Sequence, residues 1–449
     1  MSATPGYLAK FVWTAGTFVL SAALKFGLNI VLAYLLAPEI LGVMVVVNAI
    51  RLGVELLTDV GIEQNIIHHS DGLERNFRDT AWTLQLLRGA LLSAAFLVAA
   101  PFLAQAYGID VRIFLVAALS PVIGGAHSTA IFALVKQMEV RRRNLFEFGC
   151  EVLAFVVQVA LAAWLRSVWA PVIGLVLAVA IRSALSYLLP DPGQRFRLDR
   201  DVVRRIVHFG KWIAITSLVM YAATNLDRLY LGQVAPLAVV GIYGIARAIA
   251  ELPTTLARRL SYQIIFPALA SVGDGDRAGQ MIAIARSRAV FTLGVCAGLG
   301  LAASIADTLI VVIYDPRYQQ ASWMLSVLLV GAVFAVLSNL NEALLLSAGR
   351  PIYGSIANVM RLVTLAVLLP SGYALAGFAG AVVAVAATEL LQYCYIAIGV
   401  HRVRMNFWRQ DAIAIGAAVV VILVVLAVRW ELGLGSPLGG VSAGSGGLG

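Results

Sequence analysis

Apolar segments of about 18–30 residues recur along nearly the whole chain, and each is long enough to cross a hydrocarbon core of about 30 Å. We place them at residues 11–36, 40–66, 79–104, 112–135, 145–165, 170–190, 209–232, 237–265, 289–313, 321–347, 353–370, 375–400 and 411–428. A backbone in lipid has no water to satisfy its polar groups, so each segment is expected to be a helix. Composition agrees. Of the 449 residues, 61% are hydrophobic and 13% charged, about half the charged fraction of a soluble domain. The expected fold class is an all-α polytopic membrane protein. The first segment lacks a small-residue cleavage site and is interrupted by Lys25 and Asn29, so it reads as a retained span and not a signal peptide. Cys150, Cys296 and Cys394 lie in apolar segments without partner spacing, which argues against a disulfide framework or a metal site.

The formal charge of +9 looks like a nucleic-acid signal until its distribution is considered. With the N-terminus taken as cytoplasmic, 22 basic residues, Arg288 at the edge of the 289–313 span among them, fall on that side of the membrane and four (Arg112, Arg166, Arg317, Arg429) on the other. This asymmetry is the positive-inside pattern and needs no nucleic acid. The longest hydrophilic stretch, Pro190 to Lys211, carries Pro190, Pro192 and Gly193 as helix breakers. Arg204 and Arg205 then interleave with Val202, Val203, Ile206, Val207 and Phe209. It reads as a basic amphipathic segment at the cytoplasmic surface, either a solvated linker or a binder of anionic lipid.

The linker separates two related halves. Asn29, Ala37-Pro38 and Gly42-Val43-Met44 in the first correspond to Asn225, Ala235-Pro236 and Gly241-Ile242-Tyr243 in the second. The next helix in each half carries a charge pair four residues apart, Arg51 with Glu55 and Arg247 with Glu251. Six spans on each side fit the parallel repeats of many transporters. The expected organisation is an N-terminal six-helix bundle (1–190), the basic linker (191–210), a C-terminal bundle (211–402), an additional thirteenth span (403–430) and a flexible Gly/Ser-rich tail (431–449).

The span from Pro38 to Ile67 sets Arg51, Glu55, Asp59 and Glu63 at four-residue spacing. Each step of four turns a helix by about 400° and rises about 6 Å, so the first three charges share a narrow stripe. Ionisable groups at the bilayer centre are costly and face a protein interior or a wet cavity. The other charges inside spans include Lys25, Arg88, Glu151 and Arg182 in the first half, and Asp227, Arg228, Arg247, Glu251, Asp307, Glu342, Arg361 and Glu389 in the second. Guanidinium groups suit phosphate or carboxylate, because they donate in a rigid fork and stay charged. The carboxylates beside them can carry protons or sodium, or can simply balance the arginines as internal ion pairs. Pro253 follows Glu251 and should kink its helix.

No phosphate-loop motif is present, and no histidine pair has zinc-ligand spacing. No large soluble loop carries clustered carboxylates, as a membrane glycan polymerase or ligase would need. The chain is not expected to be an enzyme.

The stretch from Thr224 to Pro253 resembles the span seven–eight signature of bacterial polysaccharide-biosynthesis flippases, through Asn225, Asp227, Leu231-Gly232, Gly241, Tyr243, Ala246 and Pro253. Leu36 to Met44 resembles the matching turn of the first half. The family belongs to the multidrug/oligosaccharidyl-lipid/polysaccharide exporter superfamily. The resemblance implies two six-helix bundles around a central cationic cavity. It also implies flipping of undecaprenyl-diphosphate-linked oligosaccharide across the bacterial inner membrane by alternating access, for export of exopolysaccharide or O-antigen. Membrane lipid, a polysaccharide polymerase and export machinery would be partners, and no cofactor beyond Na⁺ or H⁺ coupling is implied. Arg51, Arg247, Arg361, Lys25 and Arg228 are the candidate substrate-binding residues. Glu55, Asp59, Asp227 and Glu251 are the candidates for ion coupling or charge balance. A drug/cation antiporter of the same superfamily is the alternative, and its cavity should be net acidic.

Overall fold

A computed structural model of the chain describes residues 5–57, 61–192, 194–261, 277–403, 405, 407–434 and 437. Among these residues there are helices and turns and no strands. In chain order the helices are α1 (Pro5–Leu35), α2 (Pro38–Leu56), α3 (Ile62–His68), α4 (Arg75–Tyr107), α5 (Val111–Ala117), α6 (Ser120–Gly125), α7 (Ala130–Lys136) and α8 (Val140–Leu165). They continue as α9 (Trp169–Leu185), α10 (Arg200–Val234), α11 (Leu237–Leu260), α12 (Arg277–Ser304), α13 (Ala306–Ile313), α14 (Ala321–Ser347), α15 (Ile352–Arg402) and α16 (Trp408–Glu431).

Eight of these helices are long and apolar enough to span a membrane, or ten if each of two bent pairs counts as one span. One bent pair joins α5–α6 to α7 at 52°; the other joins α12 to α13 at 71°. The expected spans at 112–135 and 289–313 are therefore broken helices. Hydropathy sums over a break without registering it. The expected span at 40–66 comprises α2, α3 and three residues, Thr58 to Val60, outside the described set.

Local sequence sets several of the helix ends. Pro38 sits in the first turn of α2, where its missing N–H costs nothing. Asp199 caps α10 by accepting from the backbone N–H groups of Asp201 (3.0 Å) and Val202 (3.3 Å). Its own carboxylate accepts from Asn76 Nδ2 at 2.9 Å, and these bonds hold its pKa below the usual aspartate value. α15 is 51 residues long but folds back on itself at Ala376-Gly377, where Gly377 takes φ +57°. A Cβ at Gly372 would lie 2.6 Å from the Gly380 carbonyl oxygen, and one at Gly380 2.0 Å from that of Gly372. The two legs are thus close enough to need no connecting loop.

The chain forms two compact units, residues 1–221 with 228–241, and residues 222–227 with 242–449. In the first, α8 packs on α1 and α9, and α4 packs on α5 and α6. Its core joins Ile62, Ile66, Phe77, Ile131, Val202 and Ile206, so residues 200–210 of the basic stretch are the opening turns of α10 with one face buried. The matched Ala-Pro…Gly turns also meet inside this unit. A Cβ on Gly42 would sit 1.8 Å from Leu237 O, and one on Gly241 would sit 2.1 Å from Pro38 O. The contact is reciprocal: each glycine faces the backbone of the other segment.

In the second unit α14 is the central helix, packed on α15 and α12, and α16 packs along α12. α16 is pinned at both ends. Near its start Asp411 accepts from Arg288 Nη2 (2.6 Å) and Asn341 Nδ2 (2.9 Å). Near its end Arg429 pairs with Asp307 at 2.5 Å. The helix that stands outside the sequence repeat is therefore integral to this unit.

Candidate functional site

In the first unit the charged face of α2 is a local arrangement. Arg51 Nη1 donates to Glu55 one turn on, while Nε and Nη2 donate to Asn48 Oδ1 at 3.3 and 3.1 Å. Arg88 of α4 donates to the backbone carbonyl of Glu55, which places a cation at the C-terminal end of α2 where helix carbonyls are left over. Arg51 and Glu55 retain 16% and 30% of their side-chain exposure. Asp59, expected to continue the stripe, lies outside the described residues. Glu63 leaves the stripe and pairs with Arg143 at 3.1 Å.

Lys25, on α1, pairs with Glu151 of α8 at 2.7 Å and is itself largely exposed. Helix α8 also supplies Glu147, which binds Arg182 of α9 through two bonds of 3.0 and 2.8 Å. Asn144 of the same helix donates to Thr17 at 3.2 Å. α8 therefore presents a polar row, Asn144–Glu147–Glu151, at helical spacing. The spacing along α8 marks this row in the sequence, since Glu147 lies one turn before Glu151 within the expected 145–165 span.

In the second unit the corresponding pair is part of a larger group. Arg247 is buried and lies 3.1 Å from Glu251, one turn away, and 3.4 Å from Asp227 of α10. Asp227 is 1% exposed and accepts from the Tyr243 hydroxyl at 2.5 Å. Tyr243 is fully buried one turn before Arg247. The sequence marks Tyr243 only as a motif position, and its role as the partner that fixes Asp227 emerges from the fold. Arg361 and Glu389, on the two legs of α15, pair at 2.5 Å. The hairpin brings these residues together across 28 positions of sequence. Arg361 Nε and Glu389 Oε2 have no hydrogen-bond partner among the described residues.

The second unit thus gathers three carboxylates (Asp227, Glu251, Glu389) and two guanidinium groups (Arg247, Arg361). Fully ionised, the set carries one negative charge more than positive. Arg228, the remaining candidate, is half-buried on α10 and falls within the first unit, whereas its neighbour Asp227 falls within the second. Successive helix residues point about 100° apart, so adjacency in sequence does not bring their side chains together.

Burying a charge without a partner is expensive, and an acid supplied for each cation offsets much of that cost. Candidates Arg51, Arg247, Arg361 and Lys25 all have a carboxylate within hydrogen-bonding reach. A dianionic headgroup would have to exchange with those carboxylates to be bound. Among the described residues no cluster of His, Cys, Asp or Glu could hold a metal ion.

Comparison with known proteins fits this architecture. The fold is similar to that of the lipid II flippase MurJ, with a TM-score of 0.71 at 10% identity over 95% of this chain and all of that one. It is also similar to an inward-facing multidrug resistance MATE transporter of the MOP superfamily, with a TM-score of 0.64 at 14% identity over 87% and 95% of the two chains. A Vibrio cholerae MATE transporter gives 0.56 at 13% identity, over 89% and 97%. These neighbours are transporters and a flippase, not enzymes. By sequence, the chain is 23% identical over 303 residues to the teichuronic acid biosynthesis protein TuaB of Bacillus subtilis (strain 168). That stretch is 66% of this chain and spans 62% of the relative's length. The model of the polysaccharide biosynthesis protein family matches residues 31–323, well over half of the sequence. The chain belongs to the polysaccharide biosynthesis protein family and is a multi-pass membrane protein of the flippase and transporter fold.

Proposed function

We propose that the protein flips a polyprenyl-diphosphate-linked oligosaccharide across the bacterial inner membrane by alternating access, for export of a cell-surface polysaccharide. The family assignment supports polysaccharide biosynthesis, and the fold it shares with a lipid II flippase supports a lipid-linked cargo. The observation that carries the reading is chemical: guanidinium groups with carboxylate partners lie within apolar helices, in both units.

Arg51, Arg247 and Arg361 are the proposed ligands of the diphosphate, with Lys25 and Arg228 behind them. The diphosphate displaces carboxylates from these cations, because it accepts a bidentate fork as a carboxylate does and carries more charge. The unpaired Nε of Arg361 is a donor already available for it. The displaced carboxylates, Glu55 in the first unit and Asp227 and Glu251 in the second, with Asp59 as a further candidate, then become basic enough to take up a proton or Na⁺. This exchange would couple transport to an ion gradient. The surplus carboxylate of the second unit supports an ion site there, on grounds of charge balance. The lipid tail stays in the bilayer throughout.

The test is reconstitution of the full-length protein in proteoliposomes with a fluorescent polyprenyl-diphosphate oligosaccharide in one leaflet. Wild-type protein should expose the sugar to a membrane-impermeant glycosidase on the other side. Failure to do so under an imposed proton or sodium gradient would contradict the proposal. Export of a cationic dye without glycan translocation would favour the drug/cation antiporter.

A further inference from the structure

Residues 194–204, which link α9 to α10 and open α10, carry Arg195, Arg197, Arg200 and Arg204 against Asp199 and Asp201, and they do not form a loose linker. Residues 194–199 take a non-helical course along the first turns of α4. Alternate backbone N–H groups point at that helix. Arg195 N donates to Asp79 Oδ1 (3.1 Å), Arg197 N to Thr83 Oγ1 (3.0 Å) and Asp199 N to Thr80 Oγ1 (3.4 Å). Gln194 Nε2 donates to Thr129 Oγ1 at 2.9 Å. A segment held edge-on through its N–H groups leaves its side chains outside. Arg195, Phe196, Arg197 and Leu198 are all exposed, Phe196 by 74% and Leu198 by 57%.

These side chains lie about one headgroup thickness from the exposed apolar section of α4. The Phe196 ring meets Trp82 edge-on at 5.1 Å. Leu87, five residues further along α4, is an exposed residue of its apolar section, and five residues of helix rise about 7.5 Å. The headgroup zone on each side of the hydrocarbon is about 5–7 Å thick. Trp82 Nε1 donates to the Tyr187 hydroxyl at 3.1 Å, and neighbouring Leu188 is 79% exposed. Aromatic residues at this level mark a membrane–water interface. Arg200 and Arg204 add two exposed cations on the first turns of α10.

We infer that residues 194–199, with the start of α10, form a preorganised membrane-surface anchor that binds anionic phospholipid. Phe196 and Leu198 enter the boundary between headgroups and acyl chains. Arg195, Arg197, Arg200 and Arg204 pair with lipid phosphates. The occupant follows from charge complementarity, and from two spans that hold the segment at the interface. Because α4 already fixes the backbone, little ordering entropy remains to be lost on lipid binding.

Two measurements on the full-length protein test this. The first places a nitroxide at residue 196 by Phe196→Cys in a Cys394→Ser background, since Cys394 is the exposed native thiol. In nanodiscs containing phosphatidylglycerol the label should be relaxed more by oxygen than by a water-soluble nickel chelate. Dominant relaxation by the chelate, or shielding from both reagents as at a protein–protein contact, would overturn the inference. The second titrates phosphatidylglycerol into protein in a neutral detergent and reads bound lipid by native mass spectrometry. Each of Arg195→Gln, Arg197→Gln and Arg204→Gln should weaken binding by roughly fivefold, the fold-change that corresponds to one basic side chain at an anionic surface. Thr83→Val keeps every charge but releases the Arg197 N–H, and should weaken binding by a smaller factor. Unchanged affinity in the triple arginine variant, with an unchanged melting temperature, would contradict the assignment.

Discussion

The pairs Arg51–Glu55 and Arg247–Glu251 share a spacing and a place in the repeat but differ in construction. Arg51 binds within its own helix, to Asn48 and Glu55, and both members of the pair remain partly exposed. Arg247 is held by carboxylates from two helices, one of them almost completely buried and fixed in turn by Tyr243. Aligning Gly42 with Gly241 puts Asn48 where the second half has Arg247. The neutral amide that steadies Arg51 is thus the counterpart of the arginine that organises the other group. An accessible, locally tethered cation can change partners at little cost. A buried cation shared between a buried acid and a partly exposed one is a structural tie between two helices.

Arg247→Ala sharpens this contrast most. It leaves Asp227 and Glu251 without their cation, and removing one member of a buried pair costs about 3–5 kcal/mol. The expected result is a large fall in folded yield and melting temperature in detergent, with transport lost as a consequence. A melting temperature equal to wild type would show that the group is not structurally coupled. Gly42→Ala and Gly241→Ala test the close crossing of α2 and α11 within the first unit. Overpacking against backbone costs about 1–3 kcal/mol, and the two variants should lower the melting temperature by similar amounts because the contact is reciprocal. Tyr243→Phe removes one hydrogen bond to a buried carboxylate, worth about 1.5–3 kcal/mol to a charged group. It should destabilise less than Arg247→Ala and leave transport measurable. Arg51→Ala is expected to cost under about 1 kcal/mol, as for partly exposed i,i+4 pairs, so its melting temperature should stay close to wild type. The smallest effect is at Asp199. Its depressed pKa means that its capping contribution is complete above the usual aspartate pKa and is lost as pH falls through the lower folded value. Nitroxide mobility near residue 196 should therefore rise only in strong acid, and Asp199→Asn should remove that dependence.

The helical membrane fold was legible because it rests on hydropathy, which every long apolar segment displays. Bends were not, since the 71° break between α12 and α13 falls at Ile305, inside a segment whose mean hydropathy is that of one continuous span despite Asp307. The candidate cations were legible because a charge within an apolar segment stands out. Their partners were legible only when local. Glu55 and Glu251 lie one turn away and were found, whereas Asp227 as a partner of Arg247 and Glu389 as a partner of Arg361 depend on helices meeting in space. Arg288 shows the reverse error. At the edge of a span it read as one more positive-inside residue, yet it is buried between Asn341 and Asp411 with Phe407 against its guanidinium at 4.8 Å. An interfacial arginine and a buried one look alike in sequence when the acid that receives it is 123 residues away. The basic stretch after α9 was legible in charge but not in order, because its anchors Asp79, Thr80 and Thr83 belong to α4.

The central claim is that Arg51 contacts the translocated headgroup without being needed for the fold. The direct measurement is the leaflet in which lipid-linked glycan accumulates in cells whose sole copy of the gene carries Arg51→Ala, with membrane-inserted protein quantified in the same cells. The account predicts wild-type amounts of inserted protein and glycan trapped in the cytoplasmic leaflet. Normal surface polysaccharide from a well-inserted Arg51→Ala variant would contradict it.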